Sequence, residues 1–420
     1  MLDINLNPIL LYSGYYDYDS LYPFIVDSNF YYITQCDIPN LIFLQDNQAK
    51  YIFFTIPNKN FHDTQQYMDT INSSFPEINQ ENYLPLGQLD IILDKLDIDK
   101  LYTLSNDNYY LSKINNHHQT KTLLIDTDTL VNYCLQLRKI KTKQEITNIR
   151  KACHISSLGI IEVLKNAKPL LYEYQLVNIF HNYMINNGNT KYAYQPICSH
   201  GYNNRILHYN SNDQQIIDKN SLVLMDIGCK YNYYCSDITR TYPINGKFTP
   251  INKKIYQIVL QVQEYSLTLV KSGIYWIEIE NKTREKLYQL IQQEIELFTI
   301  TNNISNIDIT RAIMPHGLGH CVGLDVHDGP AIDKLEKDMV VTIEPGIYFN
   351  SHSYQKYQNN INKTIWDIYK KVGGIRIEDT ILVTKNGYEN LTIIPKDIKW
   401  IEKTIKGKKP NKTKRKYIGT

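Results

Sequence analysis

The segment MPHGLGHCVGLDVHDG, Met314 to Gly329, carries three histidines within a dozen residues: His316, His320 and His327. His316 and His320 have the i, i+4 spacing of a zinc-protease helix, but no glutamate lies between them. Gly317 and Gly319 would each cost a helix about 1 kcal/mol relative to alanine. The segment is therefore expected to be extended, and alternation lets both histidines face one place. Acids that could share the place lie elsewhere. Asp226 follows the run Leu222-Val223-Leu224-Met225, and Glu344 follows Val340-Val341-Thr342-Ile343. Asp237 opens a strand on which it shares a face with Thr239 and Thr241, and Glu378 shares one with Arg376 and Thr380. Each acid alone reads as a strand-end salt bridge or cap. Four of them, with a histidine-rich loop, read as one site, because charges seldom enter apolar strands unless paired or metal-bound. Two divalent cations would neutralise the four carboxylates, which would otherwise repel and stay partly protonated. Oxygen donors with one imidazole favour a hard ion such as Mn²⁺. Such a pair of ions can clamp the tetrahedral intermediate of a hydrolysis.

The elements that must position these groups fall into two halves. Over residues 1–137 the β-rich runs FYYIT, NLIFLQ and KYIFFTI alternate with polar helical candidates such as LGQLDIILDKL, an α/β pattern. In LRKIKTKQEITNIRKACHISSLGIIEVLKN, Ile146, Ile149, Cys153, Ser156 and Ile160 recur every three to four residues and predict an amphipathic helix. A domain boundary is placed just before it, at Arg138. Beyond it SLVLMDIG, SDITRTYPI, MVVTIEPGIYF and GGIRIEDTILVT read as strands, the third stopped by a turn at Pro345–Gly346. NKKIYQIVLQVQEYSLTLVK reads as a helix between them.

Composition narrows the class. The chain has 420 residues, 43% hydrophobic and 21% charged, which suits a globular protein with an ample core. Its 35 tyrosines fit the codon bias of an AT-rich genome. Seven scattered cysteines, none in a C-x-x-C pair, argue against a disulfide framework or a thiolate zinc site. The first residues lack the basic start of a signal peptide, and apolar runs such as YIFFTI are too short to span a bilayer, so a cytoplasmic protein is expected. Seven of the basic residues crowd into KGKKPNKTKRKYIGT, leaving 38 basic against 43 acidic residues in the body. The tail, 406–420, is expected to be disordered and solvated, with nuclear targeting or nucleic-acid contact as the other readings.

The motifs RILHY, LVLMDIGCKYNYYCSDITRTYPINGKF, MPHGLGHCVGLDVHD, VVTIEPGIYF and GGIRIEDTILVT occur in one order along the catalytic half, and PFIVDSNFYYIT adds a looser match ahead of them. By these the chain resembles the pita-bread metallopeptidases, in their aminopeptidase P and prolidase branch. The resemblance implies an α+β protein. A curved antiparallel sheet with helices outside it would occupy 138–405, after a smaller α/β domain over 1–137. It implies two Mn²⁺ per subunit: Asp226 a terminal ligand of one ion, Asp237 and Glu378 bridging, His320 and Glu344 completing the other. His208 would line the substrate pocket. His316 and His327 would hydrogen-bond the peptide and steady the oxyanion, and Tyr194 and Thr239 match positions that orient metal ligands. A metal-bridging hydroxide would attack the Xaa-Pro bond of short proline-containing peptides, with Glu344 passing a proton to the leaving nitrogen. A homodimer is implied as well. Arg376, two residues from Glu378, has two readings: it binds a substrate carboxylate, or it balances the charge of the acids.

The 34-residue gap from Glu344 to Glu378 and the loop KSGIYWIEI resemble prolidase, so an Xaa-Pro dipeptidase is expected ahead of an Xaa-Pro aminopeptidase. Three features depart from the family pattern. His200 and Tyr202 replace the usual residues in CSHGYNN, LEKDMV lacks a Pro-Gly turn, and the segment after Asp328 is short. These point to an altered pocket rim. A methionine aminopeptidase would lack the large N-terminal domain, and a creatinase-like enzyme would not keep all five ligands. A non-catalytic nucleic-acid or chromatin partner using the basic tail is the reading of a different class.

Overall fold

Contacts divide the chain into two compact units, Met1–Leu137 and Arg138–Thr420. Within them the computed structural model describes residues 8–14, 25–54, 64–98, 100–104, 124–188, 191–299 and 304–407. Residues 408–420 of the basic tail, expected over 406–420 to be disordered and solvated, lie outside the described residues. No helix of the described residues is long and apolar enough to cross a membrane. All seven cysteines are buried.

The first unit is a six-stranded mixed sheet. In chain order its strands are β1 (Ile9–Tyr12), β2 (Leu41–Gln45), β3 (Lys50–Phe54), β4 (Tyr83–Pro85), β5 (Lys100–Thr103) and β6 (Leu124–Asp126). They lie in the order β4-β3-β2-β1-β5-β6. Helices α1 (Ser28–Thr34), α2 (Thr64–Ser74), α3 (Leu89–Lys95) and α4 (Asp128–Lys139) connect or follow them. The run FYYIT, expected as a strand, is helix α1. The Asp27 carboxylate accepts hydrogen bonds from the amides of Asn29 and Phe30, and Phe30, Ile33 and Thr34 are buried at helical spacing. A cap and a buried stripe outweigh the β-propensity of the aromatic residues. The division between units falls inside α4, one residue before Arg138.

The second unit opens with α5 (Lys143–Asn166), whose capping box pairs Thr142 with Glu145. Next come α6 (Glu173–Asn186), β7 (Lys191–Tyr192), β8 (Ile197–His200), β9 (Leu222–Asp226), β10 (Cys229–Tyr231), β11 (Tyr234–Cys235) and β12 (Thr239–Pro243). After α7 (Pro250–Leu269), α8 (Trp276–Ile295) and α9 (Asn306–Ile309) follow β13 (Val340–Ile343), β14 (Gly346–Tyr348), α10 (Ser351–Tyr357) and α11 (Lys363–Tyr369). The described residues end with β15 (Gly374–Arg376), β16 (Asp379–Val383), β17 (Tyr388–Asn390) and α12 (Ile398–Ile405).

Alternation along these strands decides which side chains meet. Val223 and Met225 of β9, Tyr242 of β12, Val341 and Ile343 of β13 and Ile381 and Val383 of β16 join one core with Ile155, Phe180, Val259 and Ile291 from the helices. The opposite parity carries Asp226, Thr239, Thr342 and Thr380. In the β8–β9–β12 ladder Asp226 pairs with Ile197 on one side and Thr239 on the other, which puts Asp226 and Thr239 on one face. The strand expected over GGIRIEDTILVT is broken. β14 pairs with β15 and β13 with β16, but Glu344, Pro345, Ile377 and Glu378 leave the ladder. Proline lacks the amide a rung needs, and the Glu378 amide donates instead to Thr239 O on β12. Asp338 of LEKDMV stands in the left-handed region, φ 70°, before β13, a conformation that a short acidic side chain tolerates.

Candidate metal centre

Asp226 ends β9, Asp237 precedes β12, Glu344 follows β13 and Glu378 precedes β16, so each acid sits where its strand stops. His320 comes from a segment that lies along β13 without being a helix. The Thr342 amide donates to His320 O at 2.8 Å and the Glu344 amide to Leu318 O at 2.9 Å. Gly319 permits this approach: a Cβ there would stand 2.1 Å from Thr342 O. The glycine opens room for the neighbouring strand, beyond merely discouraging a helix.

One cavity of about 490 Å³ gathers all five acid and imidazole groups with Tyr194, His208, His316, His327 and Arg376. Donor atoms of Asp237, His320 and Glu378 lie within 4.8 Å of one another. His320 Nδ1 lies 3.0 Å from Cys321 O. A carbonyl can only accept, so Nδ1 carries the hydrogen and Nε2 is the atom left to coordinate. Nε2 stands 3.4 Å from Asp237 Oδ2 and 3.6 Å from Glu344 Oε1. Tyr194 Oη contacts Asp226 Oδ1 at 2.5 Å and Asp237 Oδ1 at 2.6 Å. Thr239 lies behind the cavity wall, where its hydroxyl donates to Glu378 Oε2 at 2.6 Å.

The electrostatics are those of acids short of positive charge. Burial, with the charges of Asp237 and Asp226, pushes the Glu344 carboxyl up to about 7. Burial and the neighbouring carboxylates hold Glu378 well above the usual range, and burial raises Asp226. Asp237 goes the other way: burial would raise it, but its contact with His320 and that ring's charge bring it down. His320 rises to about 9, since Asp237 and Glu344 more than offset its burial. Crowded buried carboxylates that hold protons, with an imidazole whose Nε2 faces them, fit divalent cations, which would displace those protons and supply the missing charge.

Arg376 is set among the acids. It is 4% exposed, and all three of its nitrogens are engaged. Nε donates to Thr239 Oγ1 at 3.0 Å, Nη1 to Tyr348 Oη at 2.9 Å and Nη2 to Asp226 Oδ2 at 2.6 Å. Three of its five N–H groups are thus spent inside the protein, and the contact with Asp226 makes it a counter-charge to the acids.

The three other histidines line the cavity in different states. The His327 ring stands edge-on to His320 with centroids 4.3 Å apart, and burial and the His320 charge lower its pKa. His316 departs from the oxyanion role. Its Nδ1 gives its hydrogen to Gly317 O at 2.7 Å. Burial and the Arg376 charge bring it down to about 3, so it is neutral, and Nε2 is buried without a partner and without a hydrogen to offer. His316 is a wall, packed edge-on against Tyr348. His208 sits next to Tyr209, whose hydroxyl donates to the buried Glu173.

The departures from the family pattern lie elsewhere. His200 is held by Glu173 at 2.7 Å. With Tyr202 it lines a separate groove, beside Ile368, Lys370 and Lys371. Neither they nor any residue of α10 or α11 lines the cavity, so the long gap after Glu344 does not reshape it.

Comparison with known proteins decides the family. The model of metallopeptidase family M24 matches residues 147–385, more than half of the chain and the whole span of the acids. The chain belongs to metallopeptidase family M24. A probable Xaa-Pro aminopeptidase of Coccidioides posadasii is 31% identical over 441 residues, spanning 93% of this chain and 89% of the relative. One of Botryotinia fuckeliana is 33% identical over 431 residues, with the same shares of 93% and 89%. Among solved structures, E. coli aminopeptidase P with the inhibitor Pro-Leu superposes with a TM-score of 0.80 at 26% identity, covering 96% of this chain and 94% of that one. Proline aminopeptidase P II of Yersinia pestis gives 0.79 at 26% identity, with 95% of each covered. The protein is thus a metallopeptidase of the aminopeptidase P and prolidase branch of M24, with the pita-bread fold behind an N-terminal α/β domain.

Several groups that shape the M24 site were not legible beforehand. Arg284, fully buried in α8, donates to Met314 O at 3.0 Å and His316 O at 2.6 Å. Arg240 ties Glu378 O at 2.5 Å to Thr239 O at 2.9 Å. Neither had a signal in spacing. The threonines did. Thr342 stands two residues before Glu344, and Thr380 two after Glu378, and alternation puts each on its acid's face. Thr342 Oγ1 reaches Glu344 at 3.4 Å and the His320 amide at 3.1 Å, while Thr380 donates to Asp237 O at 2.6 Å.

Proposed function

We propose that the protein is an Xaa-Pro aminopeptidase that removes the residue ahead of proline from peptides of three or more residues. The observation that carries this is the five-donor cluster in one cavity, in a chain that aligns over 93% of its length with proteins named Xaa-Pro aminopeptidases. The dipeptidase expected from the Glu344–Glu378 gap has less support. The helices of that gap, α10 and α11, stand away from the cavity, and Arg376 already serves Thr239, Tyr348 and Asp226. Asp226, Asp237, His320, Glu344 and Glu378 would hold two divalent ions, Mn²⁺ first among them. When bound, the ions polarise the scissile carbonyl and make water a stronger acid.

The chain's own groups then handle binding and protons. The peptide's amino end is drawn to the carboxylates, and Arg376 limits their repulsion. As water attacks the carbonyl carbon, Glu344 accepts a proton and passes it to the proline nitrogen while the C–N bond breaks. Without that proton the nitrogen would leave as an amide anion. His327, kept neutral, donates its N–H toward the carbonyl oxygen as negative charge develops there. His316 lines the cavity, with Tyr348 packed behind it.

The test compares an Xaa-Pro dipeptide with an Xaa-Pro-Xaa tripeptide after Mn²⁺ reconstitution, with a chelated control. Cleavage of the tripeptide at least tenfold faster is the expected result. Preference for the dipeptide would restore the dipeptidase reading, and cleavage of neither would reject both.

A further inference from the structure

A buried ion cluster outside the acid site sits at the neck of the loop that carries His327. The chain leaves β13's flank at Cys321 and returns at Asp328, whose amide donates to Cys321 O at 2.9 Å. This closure folds His327 back over His320. The Asp328 carboxylate, 1% exposed, receives Lys141 Nζ at 2.7 Å and a short contact from Arg138 Nη2. Arg138 also reaches Asp325 at 2.7 Å, and Lys141 Nζ donates to Arg138 O at 2.6 Å. Gly323 keeps the space: a Cβ there would stand 2.2 Å from Asp328 Oδ2 and 3.1 Å from Lys141 Cε. Two cations meet two carboxylates, so the neck is compact and neutral.

From this geometry we infer that Asp328, clamped by Arg138 and Lys141, is a positioning residue for His327. The inference rests on the proposed peptidase reading for its activity readout. The clamp contacts neither the acids nor the cavity. It fixes the residue beside His327 at the point where the loop closes, and so sets where the ring can stand. A buried charge stripped of its partner destabilises a fold strongly, so a single replacement would confuse positioning with folding. Replacing Lys141→Met together with Asp328→Asn removes one buried charge of each sign and leaves Arg138 with Asp325.

An ångström of misplacement at a reacting centre costs about 100-fold in rate. The paired variant is therefore expected to lose about 10- to 100-fold in kcat on an Xaa-Pro-Xaa tripeptide, with KM within about threefold and metal content unchanged. In a His327→Ala background the same pair should cost no more than about threefold, because the clamp acts only through that ring. Lys141→Arg alone, which keeps the charge beside Asp328, should retain most of the wild-type kcat. A crystal structure of the metal-free paired variant should show the His327 ring displaced from its edge-on place 4.3 Å from His320. A folded variant with kcat near wild type, an undisplaced ring, or an equal loss without His327 would each overturn the inference. If the wild-type protein cleaves no Xaa-Pro peptide, the peptidase reading falls, and the ring position still decides for or against the clamp.

Discussion

Replacing Tyr194 by phenylalanine isolates a single hydrogen atom between two carboxylates. Tyr194 Oη stands 2.5 Å from Asp226 and 2.6 Å from Asp237. A phenol has one hydrogen, so only one of these contacts can be its donation. The other needs a proton on a carboxyl group, and Asp226, which burial pushes up, is better suited to hold it than Asp237. Burial and the adjacent carboxylates raise Tyr194 itself well above its ordinary value, so it remains a donor at any working pH. Cations bound by both aspartates would displace the carboxyl proton and leave the tyrosine hydrogen as the shared one. Tyr194→Phe removes a hydrogen bond to a charged acceptor, worth about 1.5–3 kcal/mol, or roughly 10- to 150-fold in Kd. The ring stays, so no void opens. The assay is calorimetric titration of Mn²⁺ into the metal-free protein at pH 7, wild type against variant. Weakening by about 10- to 100-fold is expected, the range typical of groups that orient metal ligands. A Kd within threefold of wild type in a folded variant would refute the reasoning.

Other expectations follow from the same acids. Glu344→Ala should abolish turnover while circular dichroism and melting stay close to wild type; an active variant would remove Glu344 from the proton path. The metal-free protein should lose stability as pH rises from about 4.5 to 7. Over that range the folded Glu344, held near 7, binds its proton more tightly than the unfolded chain does. The Glu344 share is about 3 kcal/mol by linkage, and His320, raised to about 9, adds a loss in the same direction as pH climbs further. Denaturant melts at pH 5 and pH 7.5 with chelator measure it, and Mn²⁺ should flatten the slope. Asp379→Asn should cost about 3–5 kcal/mol in a denaturant melt. The carboxylate is fully buried, yet Lys396 at 2.7 Å and Arg240 at 2.6 Å hold it well below its ordinary range. Deleting Lys408 to Thr420 should leave turnover unchanged, because every residue lining the cavity lies between Tyr194 and Glu378; any salt-dependent nucleic-acid binding that disappears with the tail would give the tail a separate role.

Local pattern exposed the acids well and their surroundings poorly. Asp226 and Glu344 stood out because a charge at the end of an apolar strand is costly, and alternation marked the faces of Thr239 and Thr380 correctly. The glycines of the histidine loop argued rightly against a helix. FYYIT misled because a cap one residue before the helix and a three-residue burial period outweighed aromatic β-propensity. The break at Glu378 was invisible because it depends on a bond to β12, 139 positions away in the chain. The unpartnered Nε2 of His316 was equally hidden, since it turns on which way one ring faces its own neighbour's carbonyl. The Glu344–Glu378 gap gave little guidance on substrate, because length says nothing of where an insertion lies, and α10 and α11 stand clear of the cavity.

The interrupted ribbon has a mechanical consequence. β13–β16 and β14–β15 are two short ladders in line, joined at the break by a single long backbone bond, Ile377 N to Pro345 O at 3.3 Å. The residues that fill the break are Glu344 and Glu378. Cations gripped by both carboxylates would act as the missing rungs. Loading the site and stiffening the sheet would then be one event, and amide protons on either side of the break would report how full the site is.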